Sequence, residues 1–132
     1  MFQSAFITPV EQIQKELNEV QEFLELEYRG DDMQVVRQRL EDLNQWMART
    51  GKLKADAEWH YFQNYNSSIM ACIKDVAKLS MGTSTLNKYL ESCCKDYKVL
   101  ITWSDRTNRS CVHQIDSLRT LISYSKSERN YV

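Results

Sequence analysis

Apolar residues recur at spacings of three and four along nearly the whole chain, the mark of amphipathic helices. The first stripe is Val10, Ile13, Leu17, Val20, Leu24 and Tyr28, widened by Phe23 and Leu26. Thr8 as a cap, Pro9 at the first helical position and Glu11 in the first turn predict a helix over residues 9–28, ended by Gly30. Val36, Leu40, Leu43 and Met47, with Trp46 alongside, draw a second helix over residues 32–50. Asp31 and Asp32 suit its positive dipole end, and Gly51 suits a left-handed cap at the other. The short connection around Gly30 predicts an antiparallel hairpin of two helices, each about 27 Å long.

A third stripe runs through Leu53, Ala57, Tyr61, Tyr65, Ser68, Cys72, Val76 and Leu79, predicting a helix over residues 53–80. Trp59, Tyr61, Phe62 and Tyr65 make its first half aromatic. Met81 and Gly82 interrupt the pattern, and Thr83 and Ser84 offer caps for the next helix. From Thr85 to Lys126 there is neither glycine nor proline, which predicts a long C-terminal helix over residues 85–126, about 63 Å if unbroken. Its seam is Leu86, Leu90, Cys93, Tyr97, Leu100, Ser104, Thr107, Cys111, Ile115, Leu118 and Ile122, close to a heptad repeat. The middle of that seam, Ser104 to Cys111, is small and polar, and helix propensity dips there by about 0.5 kcal/mol per residue relative to alanine. Either a neighbouring helix packs closely at that point or the helix breaks near Ser104; the reading adopted is an unbroken or gently bent helix.

Composition sharpens the fold class. The 132 residues hold 3 glycines and 1 proline, where average usage would give roughly 16 of the two together. Folds of many short strands need those residues at their turns, so the expectation is a single all-α domain over residues 1–132, a bundle of about four helices. No run of apolar residues approaches the roughly 20 that span a bilayer, and Met1 to Ile7 lacks the basic start of a signal peptide. A cytoplasmic protein with four reduced cysteines and no membrane partner is the resulting expectation. Charge is uneven although the total is −1: residues 1–49 carry a net −5 and residues 50–132 a net +4. The plain reading is attraction between the two halves across the bundle surface; the functional one is a partner, or a second copy, reading the basic end.

Catalytic chemistry finds little purchase. Cys93, Cys94, Cys111 and His113 look clustered in the string. On one helix, however, Cys94 and Cys111 lie about 25 Å apart, whereas zinc ligands converge on one point at about 2.0–2.3 Å. No metal or cofactor is therefore expected. Cys111 and His113 point about 160° apart on a helix, too far for a nucleophile and its base. Glu16, Glu19, Glu22 and Glu25 step by threes and resemble the acidic helix of all-α nucleotide pyrophosphohydrolases of the MazG and dimeric dUTPase type. Such an enzyme needs a second acidic pair on a facing helix; Glu41 and Asp42 are the nearest candidates, and the E-x-x-D spacing is absent. A solvated helix face explains the glutamates more simply.

Two interaction surfaces remain. Arg106, Arg109 and His113 follow one another at helical spacing, with Trp103 one turn before and Arg119 beyond. Arginine and tryptophan anchor protein interfaces, and a basic ridge beside an aromatic also suits nucleic acid. Asp105 and Asp116 interrupt that ridge, and the chain as a whole is not basic. Further on, Ile115, Leu118, Leu121 and Ile122 belong to an apolar run around the last turns, expected to be left open on a rod longer than its companions and covered by a second copy, most simply in a dimer.

The segments Leu43 to Leu53 and Trp103 to Arg119 resemble small helical proteins of bacteriophages and prophages of gut anaerobes. That group brings no activity or functional residues to map. The resemblance implies a phage setting, with roles such as an accessory protein, a virion component or an inhibitor of a host system. The resulting expectation is a non-enzymatic helical protein–protein interaction module that self-associates, with nucleic-acid binding as the alternative.

Overall fold

The computed structural model describes residues 6–79 and 82–130, with side chains except at 72–79, 83 and 130. The chain is an all-α bundle with the order α1 (Val10–Glu25), α2 (Met33–Leu79), α3 (Thr83–Cys93) and α4 (Lys95–Asn130). α1 and the start of α2 form the expected short hairpin, and α4 is the expected long C-terminal helix. α2 runs antiparallel to both neighbours: Glu16 meets Arg49 and Thr8 meets Asp56 on the α1 side, while Asn108 meets Met47 and Asn64 meets Cys93 on the α3–α4 side.

α1 ends at Glu25 rather than near residue 28, with Leu26 as its extended C-cap. Its N-cap is Pro9, whose ring has no acceptor and so makes no side-chain cap bond, while the Thr8 side chain is committed to Asp56 on α2. Asp32 does open the second helix, accepting from the backbone N–H groups of Gln34 (3.0 Å) and Val35 (3.4 Å). Gly82, not Thr83 or Ser84, is the N-cap of α3. Met81 and the side chains of Cys72, Val76 and Leu79 lie outside the described residues, as do Met1 to Ala5.

Gly51 terminates nothing. The helices expected over 32–50 and 53–80 are one α2 of 47 residues, about 70 Å long. A glycine inside a helix costs only about 1 kcal/mol relative to alanine, while Leu43, Thr50, Leu53 and Ala57 continue one buried seam across it. The 85–126 stretch, conversely, is not continuous: it turns at Cys94 (φ −104°, ψ 6°), between α3 and α4. Asn64 of α2 donates to the Cys93 carbonyl at 3.1 Å, supplying a partner from outside the ladder at the turn. Beyond it α4 runs 36 residues, about 54 Å, unbroken through Ser104–Ser110.

The reason it does not break there is close packing. Ser104 and Thr107 are buried and return their hydroxyls to carbonyls of their own helix, Leu100 (2.7 Å) and Trp103 (2.9 Å). Asn108 reaches across to α2, donating to the Met47 carbonyl (2.7 Å) and Thr50 Oγ1 (3.1 Å). A methyl group added at Gly51 would stand 3.8 Å from Asn108 Nδ2. Small polar residues on α4 thus face Thr50 and Gly51 on α2.

The main core is where three helices meet: Ile13, Leu17 and Val20 of α1, Val36 to Ala57 of α2 and Leu100 to Leu118 of α4. Among the described residues α1 contacts α2 and α4 but not α3. The molecule is therefore a three-helix base continued by a two-helix arm, made of α2 beyond His60 and α3.

Candidate functional site

Where α1 begins, its leading segment is tied to α2 by a polar latch. Asp56, 1% exposed, accepts from the Thr8 backbone N–H (3.0 Å), the Thr8 hydroxyl (2.6 Å) and Lys52 Nζ. His60 Nε2 lies 2.7 Å from the Thr8 carbonyl, which can only accept, so Nε2 carries the proton in this contact. Lys52 also donates to the Phe6 carbonyl (2.9 Å), and Arg49 grips Glu16 through two bonds while touching the Thr8 hydroxyl (3.2 Å). Burial alone would raise the Asp56 carboxyl, but the bonds from Lys52 and Thr8 outweigh it and hold the group below its ordinary value. The Arg49 bond holds Glu16 low in the same way. The sequence reading missed this latch, although Lys52, Asp56 and His60 stand four apart beside the apolar seam, a pattern that marks one polar helix face.

The other end of α1 is closed by Arg39, 6% exposed. Its guanidinium donates to the Leu24 carbonyl (3.3 Å) and Gln114 Oε1 (2.9 Å), and Gln114 donates to the same carbonyl (3.2 Å). It lies 4.0 Å from the centre of the Phe23 ring and 4.9 Å from that of Tyr28. A cation thus sits at the negative end of α1 while tying all three base helices together.

The expected partner-binding residues do not form one group. On α4, opposite the core, Lys95, Lys98, Arg106, Arg109 and His113 are all exposed and fall within one stripe about 80° wide. Arg119 is exposed but lies about 100° around the helix from the centre of that stripe. Trp103 is half-buried beside the stripe, its indole N–H donating to Gln21 Oε1 of α1 (3.1 Å). With Lys98, Val99, Thr102 and Arg106 it lines a shallow depression of about 340 Å³. Asp105 borders the stripe and is shared by Lys54 (3.1 Å) and Arg109 (3.2 Å), Lys54 doing most to hold its carboxyl low. The sequence reading missed Lys95 and Lys98 because it followed the ridge only from Trp103 onward, although on a helix over residues 85–126 both already share a face with Arg106 and Arg109.

The expected open flank for self-association needs correction. Ile115 and Leu118 are 3% and 1% exposed, buried in the chain's own core, and Leu121 and Ile122 are half-buried against it. Apolar exposure lies on the arm and at its root, where Phe62 is 58%, Met70 65%, Tyr89 50% and Phe6 70% exposed, and also on the base, at Leu26 (62%), Val99 (55%) and Tyr124 (63%). Ile7, Ala55, Trp59 and Phe62 line an apolar groove of about 370 Å³ beside the latch. The acidic and basic halves do not pair off either. Among the described residues every ion pair lies within residues 1–49 or within 50–132.

Among the described residues no group of three or more histidines, cysteines or acidic side chains is placed to hold a metal ion. Cys93, Cys94 and Cys111 are free thiols, and the Cys72 side chain lies outside the described residues. Burial pushes the Cys111 thiol up to about 11, far from a reactive thiolate. Glu16 and Asp42 do share a groove between α1 and α2, but Arg49 occupies Glu16 there. No helix among the described residues is long and apolar enough to cross a membrane. Compared with known proteins, the chain matches no family model, no curated protein and no solved structure.

Proposed function

We propose that this chain is a non-enzymatic helical interaction module that self-associates and presents its arm to a protein partner. The observation that supports this reading is the uncovered apolar surface of the arm. α1 ends its cover near His60, where its leading segment is latched, and two helices alone leave Phe62, Met70 and Tyr89 at half exposure or more. Covering Phe62 and Met70 would be worth about 1–2 kcal/mol each. Pairing two such arms into a four-helix bundle gives each helix a second neighbour. In the phage setting that the resemblance implies, the module would serve as an accessory protein or an inhibitor of a host system.

Light scattering after size exclusion tests the reading. A dimer at high micromolar concentration that Phe62→Glu/Met70→Glu converts to a helical monomer is the expected result. A wild-type chain that stays monomeric at that concentration overturns the self-association.

A further inference from the structure

We infer that the outer stripe of α4 is a binding track for single-stranded nucleic acid. Lys95, Lys98, Arg106 and Arg109 carry four positive charges along one side of a continuous helix, and His113 extends the line. From Lys95 to His113 the track is about 27 Å long. It points away from the core, so none of these side chains is spent on packing. Nor is the positive charge consumed by the acidic half of the chain, because no ion pair among the described residues joins the two halves. Asp105 is the one carboxylate paired to the track among the described residues. It is shared with Lys54 of α2, and the Arg109 side chain remains 74% exposed despite that contact.

The shape favours a single strand over a duplex or an acidic protein. The cations form a narrow line that can track one phosphate backbone, and the depression beside it takes an unstacked base, which a single strand offers and an intact duplex does not. Beside that line, Lys98 and Arg106 frame a depression formed with Val99, Thr102 and the Trp103 indole. Cations tracking a backbone next to an aromatic surface for a base are the combination that sequence-tolerant single-strand binding uses. A tract of Asp and Glu side chains matches the cations but brings no ring to that depression. The track is separate from the arm, so this inference stands or falls independently of self-association through Phe62 and Met70.

Fluorescence anisotropy with a dye-labelled oligothymidylate tests it. Four neutralised phosphates predict a slope of log K against log salt near −2.8, or about fifty-fold weaker binding at about 200 mM salt than at about 50 mM. Arg106→Ala/Arg109→Ala, with helicity checked by circular dichroism, is expected to halve that slope and weaken binding at least tenfold. Arg119→Ala, off the track, is expected to leave affinity within about twofold. No binding at about 50 mM salt, or a slope unchanged in the double variant, overturns the inference. So does equal affinity for polyglutamate, which reassigns the stripe to an acidic protein.

Discussion

Two buried charged residues do different work in the base. Asp56 accepts three hydrogen bonds, so Asp56→Ala strands the Thr8 N–H, the Thr8 hydroxyl and the Lys52 ammonium together. The expected loss is about 2–4 kcal/mol, read from urea denaturation. Both Asp56 and Glu16 have carboxyls held below their ordinary values of 3.8 and 4.5. A lowered pKa means the folded chain binds fewer protons than the unfolded one in that range. Their contribution is therefore full above about pH 5 and is lost as pH falls through the folded values. A urea midpoint that drops between pH 5 and pH 3 in the wild type, and drops less in the Asp56→Asn/Glu16→Gln variant, is the expected outcome. Arg39 is a second test at this scale. Both of its bonds leave one nitrogen, Nη2, and its flat guanidinium lies against the Phe23 and Tyr28 rings, a contact that the compact ammonium of a lysine does not reproduce. Arg39→Lys should cost about 1–3 kcal/mol in the same assay.

At the scale of elements, the apolar stripes read from sequence locate the helices well, because three-and-four spacing is a local property. What the stripes do not carry is where a helix stops. Gly51 looks like a cap in the string, yet the seam through Thr50, Leu53 and Ala57 is buried on both sides of it, and that packing outweighs a local preference of about 1 kcal/mol. The turn at Cys94 has no local signal at all, since its partner Asn64 is distant in sequence. The same limit governs the candidate surfaces. Spacing alone put Arg106, Arg109 and His113 on one face, but it gave no means of knowing that Ile115 and Leu118 would be covered by their own chain. Gly51 supplies a prediction that separates the two readings. Within a helix, and with only ordinary contact at 3.8 Å to Asn108, Gly51→Ala should stabilise the chain by about 0.5–1 kcal/mol. Had the residue been a left-handed cap, the same substitution would destabilise it; thermal denaturation distinguishes the two by sign.

On the scale of the whole molecule, stability is unevenly distributed. The base buries side chains from three helices, while the arm has two helices and, among the described residues, a smaller buried set that includes Leu90 and Cys94. Amide hydrogen exchange should accordingly be slowest around Leu43 to Ala57 and Leu100 to Leu118, and faster across residues 61–71 and 84–93. If arms pair, protection in the arm should rise with protein concentration while protection in the base stays constant. That measurement needs no mutation and ties the apolar exposure of Phe62 and Met70 to an observable response.

α2 belongs to both the base and the arm without interruption. Mechanically the molecule is then a lever with its fulcrum in the base. A pull or twist applied near the tip travels along one helical ladder to the Gly51–Asn108 crossing, so whatever grips the far end would be felt there as torque.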